Sequence, residues 1–215
     1  MIFFVSQFRN IIFDWSGTLV DDLSPVVDAT NKVLIHYGKS PLTRNEFCDS
    51  FCLPFVNFYK SVLPGISMIE LEDMYTHFFD KSDELVEVLP GAKGLLDFCK
   101  ESGLRVFLLS SIKDEHYRRQ SEHLNLNIYF EKVYTEALDK RIRIKSMIDE
   151  CTLNPQETIF VGDMQHDIEA GHCAEVFTVA VLGGYNSQEK LLESDPDLVI
   201  DNLFQLSDYL SENTR

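Results

Sequence analysis

The sequence predicts an α/β protein: a parallel sheet with helices on both faces, and a small all-helical unit inserted after the first strand. Three observations predict it. Short apolar runs that suit buried strands recur at residues 10–13, 105–109, 158–161, 176–181 and 197–200, with helical or loop segments between them. Polar residues stand at or just after the ends of the first three runs: Asp14, then Ser110 and Ser111, then Asp163. Between Asp21 and about Leu89 the pattern changes to helices without intervening strands.

The first run, Asn10-Ile11-Ile12-Phe13, ends at Asp14 and leads into Ser16-Gly17-Thr18, as a buried strand feeding a turn should. The inserted unit then begins. Ser24-Pro25 opens a helix that Gly38 closes, with a capping hydroxyl, a first-turn proline and a terminal glycine. Thr43 with Glu46, and Ser67 with Glu70, have capping-box spacing. Leu53-Pro54 separates two helices within the aromatic stretch from Phe51 to Lys60, which suits a loop facing a ligand. Phe55 and Phe58 in that stretch are expected mainly in the unit's own core. Pro90-Gly91 marks the return to the sheet, so residues 1–20 and 90–215 are assigned to the sheet domain and 21–89 to the helical unit. In open parallel sheets ligands sit beyond the carboxyl ends of the strands. Asp14, Ser110 and Asp163 are therefore expected to converge there.

Composition narrows the function classes. At 215 residues and 45% hydrophobic, the chain can bury a full core. No apolar stretch approaches the roughly 20 residues of a membrane helix, and the opening MIFFVSQF is too short, and lacks the basic start, for a secretory signal. A cytoplasmic protein, monomer or homodimer, is expected. A formal charge of −16 opposes nucleic acid or an anionic membrane as partner. It leaves room for a small phosphorylated metabolite, since a divalent cation and a local lysine reverse the potential inside a cleft. Five scattered cysteines read as reduced, structural thiols. Cys48 and Cys52 share a helical spacing but lack the further partners a metal site needs.

Ile11-Ile12-Phe13-Asp14-Trp15-Ser16-Gly17-Thr18-Leu19-Val20 resembles the first motif of the haloacid dehalogenase (HAD) superfamily, a strand ending in Asp-x-Asp-Gly-Thr. Ser110 is similar to the second motif, Lys140 to the third with Lys145 as competitor, and Gly162-Asp163-Met164-Gln165-His166-Asp167 to the fourth, GDxxxD. The resemblance spans essentially the whole chain. It implies a Rossmann-like core with a C1-type helical cap, in a branch like the phosphoglycolate phosphatases and phosphonatases. It also implies a Mg²⁺-dependent phosphatase in which Asp14 is the nucleophile and Lys140 offsets charge. Ser110 and Ser111 would bind the phosphoryl group. Asp14, Asp163, Asp167 and the backbone carbonyl of Ser16 would serve the metal, with Asp167 either a direct ligand or an acceptor for a metal-bound water.

The residue types suit that chemistry. A phosphate ester is anionic and repels a carboxylate nucleophile, so attack by Asp14 requires cations around the phosphoryl oxygens. Magnesium prefers hard oxygen ligands. Ser16 departs from the family pattern, whose phosphatases carry there the aspartate that protonates the leaving alcohol and then activates water. A serine hydroxyl has no readily exchanged proton near neutral pH. Three readings follow. A phosphatase would tolerate the loss through a good leaving group or another acid, His166 or a cap residue. A phosphonoacetaldehyde hydrolase, whose DWAGT motif is similar, would use a Schiff-base lysine such as Lys60, Lys32 or Lys39. A weakened phosphate-binding module would turn over slowly.

Overall fold

The computed structural model describes residues 8–81 and 86–213. Among the described residues there are eight strands: β1 (Asn10–Phe13), β2 (Val20–Asp21), β3 (Glu87–Val88), β4 (Arg105–Leu109), β5 (Lys132–Tyr134), β6 (Thr158–Gly162), β7 (Phe177–Val181) and β8 (Leu198–Ile200). Six of them form one parallel sheet in the order β5-β4-β1-β6-β7-β8. The five expected strands are all present, each within one residue of its expected ends.

The central strands are largely apolar because both sheet faces are covered. On one face Ile11, Phe13, Val106, Leu108 and Val161 pack with Leu95 and Leu96 of α5 (Ala92–Glu101) and Leu206 of α10 (Leu203–Asn213). On the other, Ile12, Phe107, Leu109 and Phe160 meet Ile144 and Met147 of α7 (Lys140–Glu150) and Ala170 of α8 (Gln165–Cys173). Phe13, Phe107 and Phe160 are buried, each contributing about 1.5–3 kcal/mol by leaving water. Helix α6 (Asp114–His123) and the short α9 (Gln188–Leu192) also belong to this part.

Register places the site. Phe13 pairs with Leu108 on one side and Val161 on the other, so the next residues of β1, β4 and β6 emerge at one level. The Asp14 N–H donates to the Val161 carbonyl at 2.9 Å, and the Ser110 N–H to the Tyr134 carbonyl at 2.9 Å. Backbone bonding thus continues to the residues whose side chains leave the sheet.

An all-helical cap region is inserted between β2 and β3: α1 (Leu23–His36), α2 (Arg44–Ser50), α3 (Phe55–Val62) and α4 (Met68–Asp80). Leu34, Phe47, Phe58 and Leu71 form its core, joined by Met164 and Tyr185 from the sheet side. No helix among the described residues is long and apolar enough to cross a membrane.

Four details differ from expectation. The interval 21–89 is not free of strands, because β3 pairs antiparallel with β2 at the base of the insertion; two residues are too few to show a period. α1 begins at Leu23 rather than after Ser24, with Asp22 in the capping position but its carboxylate engaged elsewhere. The Thr43 capping box forms, whereas Ser67 makes no side-chain cap hydrogen bond, and the Glu70 carboxylate accepts the Tyr37 hydroxyl at 2.7 Å. α2 ends at Ser50, so Cys52 lies beyond the helix and shares no helical face with Cys48; both pack in the cap cluster.

Candidate active site

The turn after β1 presents Asp14 and Ser16 while burying the residue between them. Trp15 points into the core, its indole N–H donating to the Gln120 Oε1 at 2.7 Å and its ring edge meeting Tyr117 with centroids 4.9 Å apart. Gly17 then adopts φ +74°, and a Cβ there would overlap the Asp163 carboxylate. The turn therefore needs glycine for both conformation and space. A Cβ at Gly162 would overlap Asp167 in the same way, which explains how the two carboxylates of the fourth motif fold close over the end of β6.

Asp14, Asp163 and Asp167 are buried and each offers an oxygen within 4.8 Å of the others. Lys140, at the start of α7, is completely buried beside them, its Nζ 2.7 Å from both Asp14 Oδ1 and Asp167 Oδ1. Lys145 is exposed on the same helix. Burial works against the Lys140 charge, but Asp14 and Asp167 outweigh it and hold its pKa above the ordinary lysine value. Asp163 is fixed by the Thr18 hydroxyl at 2.9 Å and the Tyr185 N–H at 2.7 Å. The second oxygen of Asp167 accepts the Met164 N–H at 3.1 Å, so this carboxylate caps α8 and pairs with Lys140 at once.

Three carboxylates facing one ammonium leave a buried excess of negative charge. The tension shows in the titration: burial, then the neighbouring carboxylates, raises Asp163 well above its usual range, and burial raises Asp14 despite Lys140. Oxygen donors of this hardness and surplus charge fit a hard divalent cation.

Ser110 is buried at the end of β4, its Oγ accepting the Ile112 N–H at 3.4 Å, while Ser111 lines a cavity shared with Asp14 and Ser16. His166 is buried, and its Nε2 accepts the Lys140 N–H at 3.0 Å. Burial and then Lys140 push its pKa down to about 4, so the ring is neutral near pH 7 and does not suit a proton donor.

Two residues beyond those expected complete the site. The Ser16 hydroxyl donates to Asp22 Oδ2 at 2.6 Å, and the Tyr185 hydroxyl donates to Asp22 Oδ1 at 2.9 Å. Asp22 is buried against the same cavity, and burial pushes its pKa up to about 7. The only sequence signal was the acid pair Asp21-Asp22 just after the first motif. Asn186 bridges the two parts of the molecule, accepting the Gln165 N–H at 2.9 Å and donating to the Phe51 carbonyl at 3.3 Å.

The Asp22 shift carries a stability prediction. Between about pH 4 and about pH 7 the folded protein keeps a proton on Asp22 that the unfolded chain has lost, so stability falls as pH rises across that window and levels off above it. Thermal unfolding of metal-free protein should show this slope, made steeper by Asp14 and Asp163, and Asp22→Asn should reduce it to the part those two contribute. An unchanged slope in the variant would place the Asp22 titration in the ordinary range.

The sequence matches the family of haloacid dehalogenase-like hydrolases over residues 11–181. It is similar to phosphoglycolate phosphatase 1 of Pseudomonas aeruginosa, 26% identical over 212 residues that cover 92% of this chain and 78% of that protein. It is similar also to the pyrophosphatase PpaX of Bacillus mycoides, 23% identical over 215 residues covering 95% and 98%. In fold it resembles a haloacid dehalogenase-like family hydrolase from Streptococcus pneumoniae, with a TM-score of 0.78 at 19% identity over 94% of this chain and 98% of that one. Since the family's pattern runs from β1 to the end of β7, across the sheet, the inserted cap and the acidic cluster, the chain belongs to the haloacid dehalogenase-like hydrolases.

Proposed function

We propose that the protein is a magnesium-dependent hydrolase of a small phosphate monoester, acting through an aspartyl phosphate on Asp14. The observation that supports it is the buried set of Asp14, Asp163 and Asp167 around Lys140, next to a cavity that Asp14 shares with Ser16, Ser111 and Asp22. Asp14, Asp163 and the Ser16 carbonyl would hold magnesium, with Asp167 a ligand or a water acceptor, and the ion would neutralise the phosphoryl oxygens when bound.

The chain's own residues do the rest. The Asp14 oxygen not paired with Lys140 attacks phosphorus and the ester oxygen leaves. Lys140 keeps Asp14 oriented and offsets its charge, and Ser110 with Ser111 binds the phosphoryl group. When Asp22 is protonated the contact between the two residues can reverse, Asp22 donating to the Ser16 oxygen and Ser16 to the leaving oxygen, and this supplies the acid that Ser16 alone lacks. A proton on Asp22 passes to the Ser16 oxygen as the Ser16 proton passes to the leaving alkoxide. In the second half the relay runs backwards, Ser16 taking a proton from the attacking water while its own returns to Asp22. Phosphate is then released and Asp14 regenerated.

This favours a phosphatase over the other two readings. Lys60, Lys32 and Lys39 are not among the residues that line the cavity, and Lys32 pairs with Asp28 at 2.7 Å, which speaks against these three as Schiff-base lysines. A pure binding module has no use for a proton donor behind Ser16. Phosphate release should require added Mg²⁺ and be suppressed by chelator across a panel of phosphate and phosphonate esters. Undiminished hydrolysis in chelator, or borohydride trapping of phosphonoacetaldehyde on a lysine, would overturn the reading.

A further inference from the structure

The cavity over Asp14 has a wall chemistry that differs from its floor. At the floor stand Asp14, Ser16, Asp22 and Ser111. Facing them from the cap are Val26, Phe51, Leu53, Phe55, Tyr75 and Phe79, and the remaining walls include Ile112 and Met164 from the sheet domain. Phe55 thus lines the cavity, while Phe58 is buried in the cap core. The cavity measures about 160 Å³. An apolar cavity of about 150 Å³ holds a benzene ring.

Charge is as informative as shape. Recognition of a second anionic group on a substrate needs an available cation, because a buried carboxylate or phosphate left unpaired costs several kcal/mol. The cavity-lining residues that carry positive charge or can gain it are Lys113 and His116. The Lys113 ammonium donates to the Thr76 hydroxyl at 2.7 Å, and His116 faces Asp80 at 3.3 Å. Glu72 lines the same cavity and adds negative charge. No arginine among the described residues reaches it.

We infer that the substrate's alcohol portion is uncharged, apolar and compact, of about the size of one aromatic ring. This deepens the phosphatase reading and rests on it. The apolar wall gains by covering such a group, whereas the carboxylate of phosphoglycolate or the second phosphoryl group of pyrophosphate would find only the Lys113 ammonium, already donating to Thr76, and His116, already facing Asp80, and would meet Glu72 in the same cavity. The chain would then differ in substrate from relatives that bear those names, with the same chemistry at the floor and a different cap surface above it.

The test compares benzyl phosphate with phosphoglycolate and glycerol 3-phosphate. All three are esters of primary alcohols, so leaving-group reactivity varies little. With Mg²⁺ present, kcat/KM for benzyl phosphate should exceed the other two by about 10-fold or more. Equal or reversed values would overturn the inference. Acetyl phosphate, whose leaving group is small and needs no proton, separates the two levels: its turnover without benzyl preference sinks the inference and leaves the phosphatase reading standing. Calorimetric binding of benzylphosphonate and carboxymethylphosphonate to the Mg²⁺-loaded protein gives a readout independent of turnover. Tighter binding of benzylphosphonate, by about 10-fold or more, supports the apolar subsite even if hydrolysis fails; tighter carboxymethylphosphonate binding removes it. Phe55→Arg should narrow the benzyl preference, with circular dichroism checking its fold, and Val26→Arg repeats the test from a different helix.

Discussion

Asp14→Asn is expected to lower turnover by more than about 10⁴ while making the metal-free protein more resistant to unfolding. The two effects have one cause. The substitution keeps the shape of the side chain and removes both the nucleophilic oxygen and a buried negative charge. In the natural protein three carboxylates face the single ammonium of Lys140, and burial holds Asp14 above its usual pKa. A carboxyl whose folded pKa is raised lowers stability at every pH above the ordinary carboxylate range. Asparagine ends that loss, so the melting temperature in chelator should rise near neutral pH and change least near pH 4. Adding Mg²⁺ should reverse the order, because a ligand bound only by the folded state stabilises it in proportion to its affinity, and the variant has one anionic ligand fewer. Melting with and without Mg²⁺, beside a phosphate-release assay, checks both arms. Retained turnover would move the nucleophile elsewhere, and an unchanged chelator melt would show that the cluster is not strained by its charge.

Residues differ in how far the sequence reveals them, and the reason is physical. β1, β4 and β6 are covered on both faces, so they read as unbroken apolar runs, and Asp14, Ser110 and Asp163 are legible at their ends. β5 is three residues at the edge of the sheet, opens with the exposed Lys132, and carries no such run. Lys140 and Lys145 are alike as letters on one helix. Only the placement of Lys140 at its first position, after the cap Asp139, turns it into the cluster. Asp22 and Tyr185 were hidden for a different reason. They lie 163 positions apart, and their contact is a product of the cap meeting the sheet domain. An acid before a helix reads as a cap, and a lone tyrosine as core. Position in sequence cannot separate those roles from a hydrogen bond to Ser16.

Asp22→Asn is expected to lower kcat on alkyl phosphates by about 10²–10⁴, the usual range for loss of a general acid or base. The pattern across substrates identifies the role better than the size of the loss. With a p-nitrophenyl ester the leaving group needs no proton, so Asp14 should still be phosphorylated. Hydrolysis of the aspartyl phosphate still needs a base, and the variant should give a burst of about one nitrophenolate per site followed by slow turnover. A residue that only held Ser16 in place would slow both halves together and show no burst. Ser16→Asp alone sets a second carboxylate against Asp22 in a buried site, where like charges oppose ionisation of the pair, so it should be a poor enzyme of low stability. Ser16→Asp combined with Asp22→Ser moves the carboxyl one side chain forward and leaves a hydroxyl behind it, keeping one acid and one alcohol in contact. The double variant should therefore recover most of the activity that either single change removes, a non-additivity found only between groups acting as a unit. Additive losses would show that Ser16 and Asp22 act separately, and a kcat of Asp22→Asn within about twofold of the natural protein would assign Asp22 to structure alone.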